Sequence, residues 1–411
     1  MFNRRTFLST IATSALVGKA LGSQIDKKEK AVIWLWLGGG ISATEFINPI
    51  PNAPVEYRSV TGAITTNSDY LLGGNFEYMA RIADKMSPVL SFAHKDASHG
   101  TATGWLMNAI SYMGKGDGTP QTEPSLGSLI SSLTYANSDR GIPSYVKINR
   151  IDYDSSAWLN ANHSGYEASG EGVKNLKSNI ELGRFADRMD IVKNIDKKSE
   201  YLYRSWAGTR EQAYNIVSGD ASKVFEVNRE DPRVLDKYRV GKSRLGENLL
   251  LARRLIQNGS KFVTIHHGGW DMHADIHRGF NNLAPDVDYS VYTLVRELEQ
   301  LDMLSNTMIV ITSEFSRTPK LNAGLVGQSS VPGRDHWPGV VPLVLIGGEL
   351  TRGYSIGTTN SLAEYPTSNP FTPKDLACTI FNHFDIDRDT KMTDNQNRPR
   401  YLVEEDARLI T

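Results

Sequence analysis

Acids and histidines fall just beyond apolar runs at several points of the chain: Glu45, Asp271, His273, Asp275, His277, Glu314, Asp335 and His336. Asp271 and His273, two residues apart on one loop, can aim both side chains at a single ion. His336, beyond a long polar loop, can close the same site. A mixed set of imidazole nitrogens and carboxylate oxygens suits zinc, manganese or a related divalent ion better than calcium. An ion held there would polarise a phosphoryl or sulfuryl oxygen and help activate a nucleophile. Arg317 and Arg334 carry the planar fork suited to a tetrahedral oxyanion. Ser98 stands at an expected strand-to-helix turn, where helix N-terminal amides stabilise an anion. An ordinary N-cap is the competing reading of that serine. His163 and His383 lack such company and read as structural.

The elements that must position these residues are short apolar runs ended by glycine or polar residues. Ala31 to Leu37 stops at three glycines, Phe262 to Ile265 stops at His266-His267-Gly268-Gly269, and Met308 to Ile311 stops at Thr312-Ser313-Glu314. Runs of this kind read as buried parallel strands. Further strands are expected at 88–93, 144–148 and 340–346. Helices are expected at 102–113, 124–136, 243–258, after Pro285, and at 375–384, with apolar residues at spacings of three and four. Strands alternating with helices predict an α/β fold, with a central, mostly parallel sheet sandwiched between helices. In such sheets ligands gather beyond the carboxyl ends of the strands, which is where the acids and histidines fall. From 169 to 240 charged residues dominate and strand signals vanish, so a helical insertion covering the sheet is expected.

The chain has 411 residues and a formal net charge of −1. Near-neutrality gives no electrostatic reason to expect nucleic acid or an anionic membrane as partner. Cys378 is the only cysteine, so no intramolecular disulfide can form, and its apolar neighbours favour a buried, inert thiol. Asn3-Arg4-Arg5-Thr6-Phe7-Leu8, a modest apolar run and a small-residue exit near Gly22 describe an export signal over residues 1–22. The paired arginines resemble a twin-arginine signal, which implies the Tat export machinery as partner and a periplasmic or secreted destination. The apolar run is too short to span a bilayer, so no stable membrane anchor is expected.

These motifs together resemble one family. The twin-arginine start, Gly39-Gly40-Ile41-Ser42, Gly268-Gly269-Trp270-Asp271-Met272-His273, Ser313-Glu314-Phe315-Ser316-Arg317-Thr318-Pro319 and Gly333-Arg334-Asp335-His336-Trp337-Pro338 occur in the order of an exported bacterial family. That family is labelled only as a domain of unknown function (domain of unknown function 1501) and is grouped with the alkaline phosphatase and sulfatase superfamily. The resemblance implies an alkaline phosphatase-like domain over 23–411 with metals at the carboxyl edge of the sheet. It implies a metal set of Glu45, Asp271, His273, Glu314 and His336. It implies a nucleophile region at Ser98-His99-Gly100-Thr101, with Thr101 competing with Ser98, and Arg317 and Arg334 as catalytic cations. Similar enzymes hydrolyse phosphate or sulfate esters, so a small anionic ester is the implied substrate.

The sequence also departs from the pattern. Glu314-Phe315 stands where the superfamily carries an Asp-His pair, and Glu45 stands where the closer family carries an aspartate. No Cys-x-Pro-x-Arg motif is present, so the chain does not resemble a formylglycine sulfatase of the usual kind. A non-catalytic periplasmic binding or assembly protein that retains the fold is the alternative.

Overall fold

A computed structural model describes residues 29–116, 118–134, 141–169, 221–323, 331–349 and 353–411, with a few isolated positions between 187 and 194. The expected signal over 1–22 lies outside the described residues, as does most of the expected insertion over 169–240. The described end of that insertion holds two short helices, Ala221–Phe225 and Pro232–Lys237.

Apolar runs become the sheet. Its strands are β1 (Ala31–Trp36), β2 (Met86–Pro88), β3 (Tyr145–Ile148), β4 (Tyr166–Glu167), β5 (Phe262–His266), β6 (Thr307–Thr312) and β9 (Leu343–Gly347). Two further short strands, β7 (Ser316–Arg317) and β8 (His336–Trp337), form a separate antiparallel ribbon. The sheet order is β2-β9-β6-β1-β5-β3-β4, and the central strands β5, β1 and β6 run parallel. β9 runs antiparallel to both its neighbours, β6 on one side and β2 on the other. The expected mostly parallel α/β sheet is therefore the observed one.

Every residue of β1 is buried, because both faces of the sheet are covered. Alternation sends Ile33 and Leu35 into one core with helices α3 (Arg244–Gln257) and α4 (Ile276–Gln300). Val32, Trp34 and Trp36 enter the opposite core with α1 (His99–Asn108), α2 (Leu126–Leu133) and α5 (Pro373–His383). The sandwich follows from this period-two division of one apolar run.

Several boundaries differ from expectation, three of them for a clear local reason. α4 starts at Ile276 and passes through Pro285, instead of beginning after it. Its apolar stripe Ile276, Phe280, Ala284, Val287, Val291, Leu294 and Leu298 is buried on both sides of the proline. That burial outweighs the one hydrogen bond a proline removes. α1 stops at Asn108, where Ala109 turns left-handed at φ 61° and the Asn108 side chain accepts from the Ile110 amide at 3.2 Å. The strand expected at 88–93 ends at Pro88, on a sheet edge where a missing N–H is harmless. Beyond it, Val89 and Phe92 make only isolated bridges to Ile356 and Phe371.

Among the described residues no helix is long and apolar enough to cross a membrane.

Candidate metal centre

The three parallel central strands end on the same rung: Trp36 of β1 faces His266 of β5 and Thr312 of β6. Their outgoing loops therefore leave the sheet together and bring Gly39, Asp271 and Glu314 into one place. Gly39 must be glycine, since its φ is 109° and a Cβ there would lie 2.6 Å from the Asp271 amide nitrogen. Its own N–H donates to Glu314 Oε1 at 2.8 Å. The start of α1 adds His99, and the β7–β8 ribbon adds His336 and, across from it, Arg317.

Asp271 is the hub. Its Oδ1 lies 3.1 Å from His273 Nε2 and 3.3 Å from His336 Nε2, and those two nitrogens are 3.1 Å apart. Its Oδ2 lies 3.5 Å from His99 Nε2. Each imidazole is held from behind through its other nitrogen. Asp335 Oδ1 accepts from His273 Nδ1 at 2.8 Å, Glu314 Oε1 from His99 Nδ1 at 2.7 Å, and the Ala97 carbonyl from His336 Nδ1 at 2.8 Å. These acceptors occupy the Nδ1 side of each ring, so each Nε2 points towards Asp271. Phe315 packs against both His99 and His336, with ring centroids 4.8 and 4.4 Å away.

This donor set fits a divalent ion. Two imidazole nitrogens and a carboxylate oxygen crowd within 3.3 Å of one another. Ligands bound tetrahedrally at zinc–nitrogen distances stand about 3.3 Å apart. Metal-bound histidines characteristically carry a carboxylate or carbonyl on the far nitrogen, as all three do. His99, Asp271 and His336 also bring ligand atoms within 4.8 Å of one another, and the Asp271 side chain is 49% exposed, which leaves the hub open to solvent.

Electrostatics sharpen the picture. Burial pushes the Asp271 carboxyl up, but the Arg317 guanidinium and the neighbouring imidazoles hold it below the usual carboxylate value. The Glu314 hydrogen bond lifts His99 above an ordinary histidine, whereas burial depresses His336. Behind the cluster, His94 is buried, and its pKa falls to about 4 through desolvation. The Asp96 amide donates to its Nδ1 at 3.1 Å, so its Nε2–H donates to the Glu314 carbonyl at 2.7 Å.

Of the residues singled out by sequence, Asp271, His273, His336 and His99 come together around one point, and Glu314 stands behind His99. Arg317 touches the hub, but its fully buried fork is spent on the Gly39 and Gly40 carbonyls and Asp271. Glu45 and Arg334 are placed elsewhere. They pair with each other at 2.9 Å, both with side chains at 0% exposure. Glu45 Oε2 accepts from Ser59 Oγ and the Val60 amide, and Arg334 donates to the Thr318, Pro319 and Arg58 carbonyls.

Asp275 and His277 turn to Arg278 and Asn281. Ser98 occupies the N-cap position of α1 without capping it through its side chain, directly beside His99 and Ala97. Thr101 is buried inside the first turn. His383 binds the Ala31 carbonyl, His163 lies beside Ser131, and the Cys378 thiol is pushed up by burial. Sequence reasoning passed over His94 and Ser313, the latter donating to the Leu37 carbonyl at 2.5 Å while accepting from the Gly40 amide at 3.0 Å. Each lies just beyond an expected strand, the same position that marked Asp271 and Glu314, so a signal was there to find.

A sequence family described as "Protein of unknown function (DUF1501)" matches residues 29–411. No curated protein matches. Among solved structures, PsFucS1 sulfatase from Pseudoalteromonas sp. is similar at 12% identity, over 94% of this chain and 72% of that one, with a TM-score of 0.43. A phosphonate monoester hydrolase from Silicibacter pomeroyi is similar at 9% identity, over 87% of this chain and 74% of that one, with a TM-score of 0.43. A protein in the alkaline phosphatase superfamily from Vibrio parahaemolyticus is similar at 9% identity, over 87% of this chain and 67% of that one, with a TM-score of 0.36.

Proposed function

The chain belongs to the family of proteins of unknown function DUF1501, and from that premise we propose that it is an exported, divalent-metal-dependent hydrolase of phosphate or sulfate esters. The observation that carries this reading is the set of three imidazoles, each braced from behind, aimed at one half-exposed carboxylate. His99, Asp271, His273 and His336 would hold the ion, with zinc or manganese matching the donors. The ion would supply Lewis acidity and the positive charge that an ester oxyanion needs.

The chain's own residues do the rest. Glu314, Asp335 and the Ala97 carbonyl keep the imidazoles in their tautomers and orientation. The amides that open α1 face the same edge and favour an anion there. Ser98 Oγ would attack phosphorus or sulfur as the bond to the alcohol oxygen breaks, its proton leaving on the alcohol, and water would then hydrolyse the serine ester to free the acid; where water attacks instead, acid and alcohol form in one step. Twin-arginine export would place this activity in the periplasm or outside the cell.

The commitment of both buried guanidinia to protein oxygens favours a second reading, a periplasmic binding or assembly protein that carries an ion without turnover. Elemental analysis of the purified chain, joined to a panel of aryl phosphates and sulfates, separates the two. The hydrolase reading expects stoichiometric metal and turnover lost on chelation. Metal without turnover selects the second reading, and a metal-free, inactive protein ends both.

A further inference from the structure

Charge around the hub bears on the substrate. Asp271, Glu314 and Asp335 bring three carboxylates within contact of the imidazoles, and Arg317 is the guanidinium that pairs with Asp271. Arg334 adds nothing here, because Glu45 cancels it in a fully buried pair. Ligation to an ion requires neutral imidazoles, and the three carboxylates and one guanidinium then leave two net negative charges, which one divalent ion cancels and no more. A doubly charged ester needs additional cations, and a guanidinium serves only with its fork free. Arg317 spends its fork on the Gly39 and Gly40 carbonyls and on Asp271, at 0% side-chain exposure. The first turn of α1 adds only a fractional positive charge.

Resting on the hydrolase reading above, we infer that this site selects esters whose acid group carries a single negative charge, sulfate monoesters or phosphate diesters, over doubly charged phosphate monoesters. Asp335 is half-exposed, so solvent screens part of its charge and the preference is moderate, about tenfold per unit charge. The carboxylates cannot swing away to relieve a dianion. Glu314 is buried and held by Gly39 and His99, and Asp335 is held by His273 and Asn322.

Inert isosteres test this without relying on turnover. The full chain, loaded with zinc or manganese, is titrated calorimetrically with phenylsulfonate and with phenylphosphonate, at a pH where the phosphonate is fully ionised. The expected result is sulfonate binding about tenfold tighter. In parallel, kcat/KM for an aryl sulfate and for a diaryl phosphate should each exceed that for an aryl phosphate, and the larger of the two identifies which monoanion the site prefers. Asp335→Asn should narrow the sulfonate-to-phosphonate ratio severalfold; an unchanged ratio overturns the charge account. Equal or tighter phosphonate binding overturns the selectivity and leaves the hydrolase reading standing. Failure of both isosteres to bind overturns both together. The isostere comparison on the unaltered chain decides the matter even where Asp335→Asn does not fold.

Discussion

Two carboxylate–guanidinium pairs lie side by side beyond the sheet, close enough that Arg317 donates to the Arg334 carbonyl at 3.3 Å. In one, Glu45 and Arg334 are sealed, both side chains at 0% exposure, with Ser59, Val60 and protein carbonyls meeting the remaining atoms. In the other, Arg317 is equally buried, but Asp271 is 49% exposed and shares its oxygens with three imidazoles. The first pair has no valence left for a ligand and works as a rivet between the first-strand loop and the ribbon. The second has an inner half that anchors and an outer half that can bind. Identical chemistry thus divides between stability and function according to whether the carboxylate reaches water.

The largest expected effect lies on the sealed side. Arg334→Ala leaves a buried, uncompensated Glu45 and should cost about 3–5 kcal/mol in urea unfolding. The double change Glu45→Gln with Arg334→Met should recover part of that loss, because the stranded charge goes too. Equal destabilisation by Arg334→Ala and Asp271→Ala would erase the contrast between the two pairs.

Next in size is the acid sensitivity of the buried groups, His94 behind the open pair above all. His94 has a folded pKa of about 4 against an ordinary 6.5, so the native state binds fewer protons between those values. Its contribution is complete above pH 6.5 and is lost as pH falls towards 4, at most about 3 kcal/mol. Asp288, lifted to about 6 by burial, has the opposite sign, and its contribution is lost as pH rises from 3.8 through 6. Unfolding measured between pH 7 and 4.5 should therefore show the His94 slope most clearly in an Asp288→Asn background, and His94→Asn should flatten it.

Smaller, and confined to the open pair, are the effects on the ion. Asp271→Asn should reduce retained metal about 100-fold after dialysis while circular dichroism stays native, since half of that side chain already faces solvent. Glu314→Gln should weaken metal binding about tenfold, by loosening the tautomer of His99 without removing a ligand. A Glu314→Gln loss larger than that of Asp271→Asn would make Glu314 the direct ligand and His99 its support.

The central strands were legible because β1, β5 and β6 are buried on both faces and so read as unbroken apolar runs. Edge strand β2 was blurred by Pro88, and α4 by a proline that its apolar stripe overrides. Asp271, His273 and His336 could be placed at one rim because motif order fixes which strand each follows. The partition between ligand and support was not legible. The sequence favoured Glu314 for the ion and His99 for catalysis, and the fold sets His99 between Glu314 and Asp271. Glu45 sits on the short helix Ala43–Phe46, whose direction decides that it meets Arg334 and not the histidines. That direction depends on packing, which has no local signal.

The level ending of β5, β1 and β6 has a consequence for biogenesis. His99 and Glu314 are 215 positions apart, and Asp271 and His336 are 65 apart, so the chelating group exists only after distant strands have aligned. A slip of one residue in β6 would turn Glu314 to the opposite face and leave His99 without its brace. On the metal-binding reading proposed above, ion capture would act as proofreading: mispaired chains would be left empty, and correctly assembled ones would gain a mass-action lock.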